Sequence, residues 1–108
     1  MSKLKHTPGT WKYERTLINT ISIFIDGSYA EPICEVFNYH GKINEIDKAN
    51  ARLISAAPEM LELLIKLLSN PTKNQSEIDE LIYDAHCRGR ELIEKATGLK
   101  IDEVLNEN

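Results

Sequence analysis

His6, Trp11, Asn50 and Arg52 are the side chains of this sequence whose types and placement could do chemistry. The turn His6-Thr7-Pro8-Gly9 stands just ahead of Trp11, the single tryptophan of the chain. Pro-Gly suits a type II turn, with the glycine taking φ > 0. Such a turn could set His6 and Trp11 together as a ligand pocket. The indole would bury one face against neighbouring helices and leave its N–H for a partner. The plainer reading is a capped first strand anchored by one tryptophan. Arg52 could meet an anionic ligand, because its planar fork matches two oxygens of a carboxylate or phosphate. Its plainer reading, shared with Asn50, is a solvated face or a tie to a loop carbonyl. The ligand-binding expectation is thus a small anionic, nucleotide-like molecule held by His6, Trp11, Asn50 and Arg52.

The remaining reactive types do not assemble into a recognisable centre. His86 and Cys87 are adjacent, so on a helix they diverge by about 100° and cannot chelate one ion unaided. Cys34, His40 and Cys87 lack any paired-ligand spacing, so no metal site is assigned. Two cysteines are too few for a disulfide scaffold, and they are expected to stay reduced, with a Cys34–Cys87 bridge as the alternative. There is no Gly-rich phosphate loop, nucleophile elbow or HExxH sequence. No catalytic residue and no cofactor is therefore assigned, and the expectation is a protein that is not an enzyme.

The elements that must position these residues read as α+β, in one domain over residues 1–108. Trp11, Tyr13 and Arg15 alternate with Lys12 and Glu14, the period of a strand. Thr20-Ile-Ser-Ile-Phe-Ile25 is β-branched and aromatic, and Asp26-Gly27 follows as a hairpin turn pair. A third strand runs over Ala30–Phe37, with Ile33, Glu35 and Phe37 on one face and Cys34 and Val36 on the other. Pro32 places that strand at an edge or a bulge. The β region spans about 10–37 as a three-stranded antiparallel sheet.

Helical spacing then takes over, in segments of about 46–69 and 76–97. Ile46, Leu53, Ile54 and Ala57 fall on one side of the first helix. Pro58 removes a backbone donor and disfavours helical geometry at Ala57, so it either kinks one long helix or opens a second one, and the break is the expectation. Asn70-Pro71 ends this segment. Ser76 reads as the N-cap of the last helix, and Gly98 as its C-terminal glycine. Gly89, in the middle of the apolar face, suggests close approach of another helix. Residues 99–108 are expected to form a flexible tail.

From Met60 to Leu68 apolar residues nearly surround the helix, so burial on two sides is expected. Any face left over would drive self-association, with Met60, Leu63, Leu64 and Leu67 at the interface of a homo-oligomer. Residues 1–46 are electrically neutral, and the net charge of −4 lies wholly in residues 47–108. That acidic half repels phosphate backbones and argues against nucleic acid as a partner. The acids Glu77, Asp79, Glu80, Asp84, Glu91 and Glu94 read as the solvated face of a helix, or as an acidic docking face. No apolar run is long enough for a membrane span, and MSKLKHTPG has no apolar core of a secretory signal.

Two motifs carry a resemblance. The first is His6-Thr7-Pro8-Gly9-Thr10-Trp11. The second is Ala49-Asn-Ala-Arg-Leu-Ile-Ser-Ala-Ala-Pro-Glu-Met-Leu-Glu62. In this order they resemble a family of small tailed-bacteriophage and prophage proteins, over roughly residues 6–98. The departures are Thr10 where proline is frequent, Ser55 for alanine and Met60 for leucine. The resemblance implies a phage accessory protein in the host bacterial cytoplasm, and it carries no catalytic residue. Two functions follow as expectations. One is a non-enzymatic accessory protein that binds and modulates a host protein, for instance in counter-defence. The other is an oligomer that binds or sequesters a small nucleotide-like molecule.

Overall fold

The computed structural model describes residues 4–27, 31–68 and 74–106. Three strands, β1 (Trp11–Leu17), β2 (Thr20–Ile25) and β3 (Cys34–Phe37), form an antiparallel sheet in the order β1-β2-β3. Three helices follow: α1 (Glu45–Leu68), α2 (Gln75–Thr97) and α3 (Ile101–Asn106). The expected α+β class, with sheet first and helices after, is the observed one.

β2 sits at the centre because its alternation serves two faces at once. Ile21 and Ile23 point towards α1 and form the core with Ile43 and Ala51, while Trp11, Val36 and Ile54 pack around them. Thr20, Ser22 and Phe24 point to the other face and are buried too. Ser22 is covered there by cross-strand neighbours, with Thr16 Oγ1 at 3.1 Å and Glu35 Oε2 at 3.3 Å. Val36 lies opposite Ile21 and Cys34 opposite Ile23, so the two faces of β3 are those its alternation predicts. The third strand starts later than expected, at Cys34, with Pro32 just ahead of an edge strand. Ala30 and the Asn70-Pro71 stop lie outside the described residues.

α1 starts beside Asn44 as its sequence indicates, and differs from expectation in two ways. It begins after a reciprocal cap: Asp47 N–H donates to Asn44 Oδ1 and Asn44 N–H donates to Asp47 Oδ2, each at 2.9 Å. It then runs unbroken through Pro58, where a break was expected. Packing on both sides of the proline outweighs the one missing hydrogen bond. Finally, the face towards the sheet is small, built from Ala51, Ser55 and the buried ring of Pro58. Ile46, Leu53 and Ala57 face solvent instead. Small side chains let the helix axis approach the sheet closely, which the larger ones would prevent.

Replacing this interior proline tests the continuous helix. A helix-interior proline is about 3 kcal/mol less favourable than alanine, and losing two buried methylenes returns roughly half of that. Pro58→Ala is expected to raise Tm by about 5 °C in a thermal melt. An unchanged or lower Tm would place Pro58 at the start of a second helix.

α2 is capped by Asn74, not Ser76: Glu77 N–H donates to Asn74 Oδ1 at 2.9 Å. It ends at Gly98, whose φ of 73° is left-handed and whose N–H donates to Glu94 O at 2.8 Å. α1 and α2 form an antiparallel hairpin tied along its length. Glu59 pairs with Lys95, Lys66 with Asp84, and Leu63 lies over Gly89. A Cβ at Gly89 would stand 4.0 Å from Leu63 Cδ2, an ordinary contact, so the helices approach there without requiring glycine. The expected flexible tail is partly a helix. α3 docks through buried Ile101, whose N–H donates to Glu94 Oε2 at 3.0 Å, while residues 107–108 lie outside the described residues.

The outer half of α1 is where expectation and structure part most. Leu61, Leu64, Ile65, Leu67 and Leu68 are exposed, not buried on two sides, because the sheet ends before it reaches them. The chain is flat and long, 54 × 40 × 20 Å, with a radius of gyration of 16.6 Å. A compact domain of this length has about 13 Å. Its accessible surface is 8113 Å², against about 6,100 Å² for a compact monomer of the same mass.

Candidate functional site

Two of the four ligand-binding candidates meet in one cleft. Trp11 opens β1, Arg52 comes from the middle of α1, and Lys95 and Gly98 come from the end of α2, around a cleft of about 570 Å³. Tyr13 and Ser55 complete its walls. His6 opens instead into the adjoining cleft, beside Pro8, Pro58 and Glu62, and Glu59 borders both. Asn50 is not part of either cleft. Two residues along a helix are about 200° apart, so it lies almost opposite Arg52, and it is exposed.

Several polar groups of the cleft are already committed within the chain, those of Trp11, Glu59, Lys95 and Glu94 among them. Trp11 Nε1 donates to Thr7 O at 3.0 Å, closing the turn, so the indole N–H that could have met a partner is taken. His6 lies edge-on to the indole, with ring centroids 6.4 Å apart at 71°. Gly9 has φ 105°, and a Cβ there would stand 3.2 Å from Ile25 Cγ2, so this turn requires glycine on both counts. Lys95 is held by Glu59. Arg52 lies across Gly98, where its Nε would stand 2.9 Å from an added Cβ. That places a cation at the carbonyl end of α2, the negative end of the helix dipole. The arrangement ties the end of α2 to α1 beside the sheet edge, with Lys95 paired to Glu59 and Arg52 lying at the negative end of α2.

The reactive thiols and imidazoles are dispersed. Both cysteines carry free thiols, Cys34 exposed on β3 and Cys87 half-buried on α2. Burial and then the neighbouring Glu35 carboxylate push the Cys34 thiol above its ordinary range, so at neutral pH it is a weak nucleophile. Among the described residues, no group of histidine, cysteine and carboxylate side chains is arranged to hold a metal ion. Among the same residues, no helix is long and apolar enough to cross a membrane. Several helix acids are engaged internally: Asp79 accepts from Gln75, Asp84 pairs with Lys66, and Glu94 holds Ile101.

The oligomer candidates divide by orientation. Leu64 and Leu67 are exposed, Met60 is half-buried at the border with α2, and Leu63 turns onto Gly89. One apolar surface went unmarked by sequence patterning: Leu17, Ile18, Phe37 and Tyr39 at one end of the sheet. Leu17 and Phe37 both lie opposite Thr20 on the face away from the helices. Ile18 occupies the turn, where Ile43 N–H donates to its carbonyl at 2.8 Å. Tyr39 meets Phe37 edge-to-face, with centroids 4.7 Å apart at 73°, and is itself 85% exposed. The available signal was large apolar side chains at turn positions beside Asn19 and Asn38, where polar residues are the rule.

No curated protein and no solved structure matches this chain. A protein-family model described as Salmonella phage P22 protein Y8K6 matches residues 1–100. With nearly the whole length inside that match, the chain belongs to this family of phage proteins.

Proposed function

We propose that the protein is a non-catalytic phage accessory protein that works in the host cytoplasm by docking onto a host protein. The observation that carries this reading is the sheet-end cluster of Leu17, Ile18, Phe37 and Tyr39. Aromatic side chains presented together dominate binding energy at protein interfaces, because each buries a large area with few torsions to order. Phe37 and Tyr39 are already held against each other, so little further ordering is needed on docking. The cluster contributes little to the chain's own core, which makes an external partner its natural use.

A tagged protein expressed in the host bacterium is expected to co-purify one host polypeptide in stoichiometric amount. Phe37→Ala with Tyr39→Ala is expected to abolish that co-purification, while Tm shifts by no more than the few degrees typical of exposed positions. Absence of a stoichiometric partner, or a partner retained by the double variant, would overturn the reading.

A second reading is favoured by the convergence of Trp11 and Arg52 on one cleft. A small anionic ligand there would meet Arg52 and would have to draw Lys95 from Glu59. A thermal-shift panel of nucleotides tests it, and uniformly flat responses would sink it.

A further inference from the structure

The outward face of α1 carries a regular seam that the rest of the described chain leaves open except at half-buried Met60. Ile46, Asn50, Leu53, Ala57, Met60, Leu64 and Leu67 follow one another at steps of four and three residues. That spacing is the a/d pattern of a two-stranded coiled coil, continued here for three heptads over about 32 Å. The other sides of α1 are engaged. Ala51, Ser55 and Pro58 face the sheet, while Arg52, Glu59, Leu63 and Lys66 meet α2. What remains points to solvent, with Ile46 71%, Leu53 52% and Leu64 56% exposed.

We infer that this seam is a homodimer interface, in which α1 packs in parallel against α1 of a second copy. The whole chain exposes about 2,000 Å² more than a compact monomer would, and the seam is one of the uncovered faces within that excess; a standard interface needs about 800 Å² per partner. Asn50 selects the occupant and the direction. It is the one polar residue of the seam, and a parallel two-fold arrangement sets it against Asn50 of the other copy, where two amides can satisfy each other. An antiparallel pairing centred on Ala57 would set it against Leu64 and leave its amide buried without a partner. Of the flanking positions only Asp47 is charged, and its carboxylate is held within its own chain by Asn38 and Asn44; Ala49, Ile54, Ala56, Leu61, Leu63 and Leu68 are uncharged. The seam begins beside the sheet-end cluster, because Asn38, between Phe37 and Tyr39, donates to Asp47, next to Ile46, but the two surfaces share no residue.

Native mass spectrometry and sedimentation of the full chain test this directly. The expected mass is twice 12.3 kDa. Leu53→Glu and Leu64→Glu change residues exposed in the monomer, so the helical circular dichroism of each should be unchanged. Each should nonetheless weaken the dimer by more than about 100-fold, because two like charges would be buried at the two-fold axis. In a Cys34→Ser/Cys87→Ser background, Asn50→Cys is expected to form a disulfide-linked dimer on mild oxidation. A monomeric wild-type protein at 100 μM (about the concentration of such experiments), or a dimer indifferent to both glutamates, would overturn the interface. A dimer in which Asn50→Cys does not link to its own counterpart would overturn the parallel register. Phe37→Ala with Tyr39→Ala should leave the mass doubled, which separates this interface from host-protein docking.

Discussion

Ile23→Ala is expected to destabilise the protein more than any other single truncation of its core. Ile23 is 0% exposed, on the central strand, in the cluster with Ile21, Ile43 and Ala51. Truncating a buried isoleucine removes transfer energy and leaves a cavity, at about 2–5 kcal/mol. Neighbouring strands tie β2 on both sides, so the backbone cannot collapse into the space. Ile43 and Trp11 are themselves anchored by backbone and indole hydrogen bonds. A loss near 3 kcal/mol corresponds to a Tm lower by about 15 °C. Much of the stability of a domain this size, about 5–15 kcal/mol, passes through this cluster. A melt shifted by less than about 4 °C would show that the helical hairpin, and not the cluster around β2, carries the stability.

Gly98→Ala should be the most damaging glycine replacement at a helix end. The φ of 73° costs an alanine roughly 1–2 kcal/mol. Its Cβ would also stand 2.9 Å from Arg52 Nε and 3.1 Å from Cδ and Cζ, so Arg52 must swing away. That removes a cation from the carbonyl end of α2, for a further 0.3–1 kcal/mol or so. A combined loss of about 2 kcal/mol should lower Tm by roughly 10 °C. The two contributions separate in a double-mutant cycle with Arg52→Ala. If Arg52 holds the end of α2, part of the Gly98→Ala cost disappears once the arginine is gone. Strict additivity would show that the glycine is required for its backbone angle alone.

The proposed seam along α1 and the proposed docking cluster at the sheet end would together make the molecule a two-faced connector. Parallel α1–α1 packing would place two copies side by side, with their sheet ends at the same end of the dimer. A host protein bound at each Phe37–Tyr39 pair would then be presented twice. Effective concentration strengthens such paired attachment wherever the target is itself repeated.

Local chemistry was legible in the sequence where a residue type answers a local demand. The strand Thr20–Ile25 follows from β-branched alternation, the turn at Gly9 from Pro-Gly, and the end of α2 from Gly98. Each depends on backbone angles or neighbouring hydrogen bonds, which a short window of sequence encodes. Membership of a phage protein family was legible as well.

What surrounds each element depended on tertiary structure. Trp11 and Arg52 were singled out for chemistry, yet only the folded chain shows the indole N–H spent on Thr7 and the guanidinium laid over Gly98. Pro58 stays inside α1 because contacts on both sides of it outweigh one lost hydrogen bond. Periodicity reports that a helix has an apolar side, but not how near that side must come to a sheet. Close approach selected Ala51, Ser55 and Pro58, and turned Ile46, Leu53 and Leu64 outward. Sequence alone therefore determined most of the elements and the C-terminal cap of α2, while packing distance decided which apolar face became core and which was left exposed.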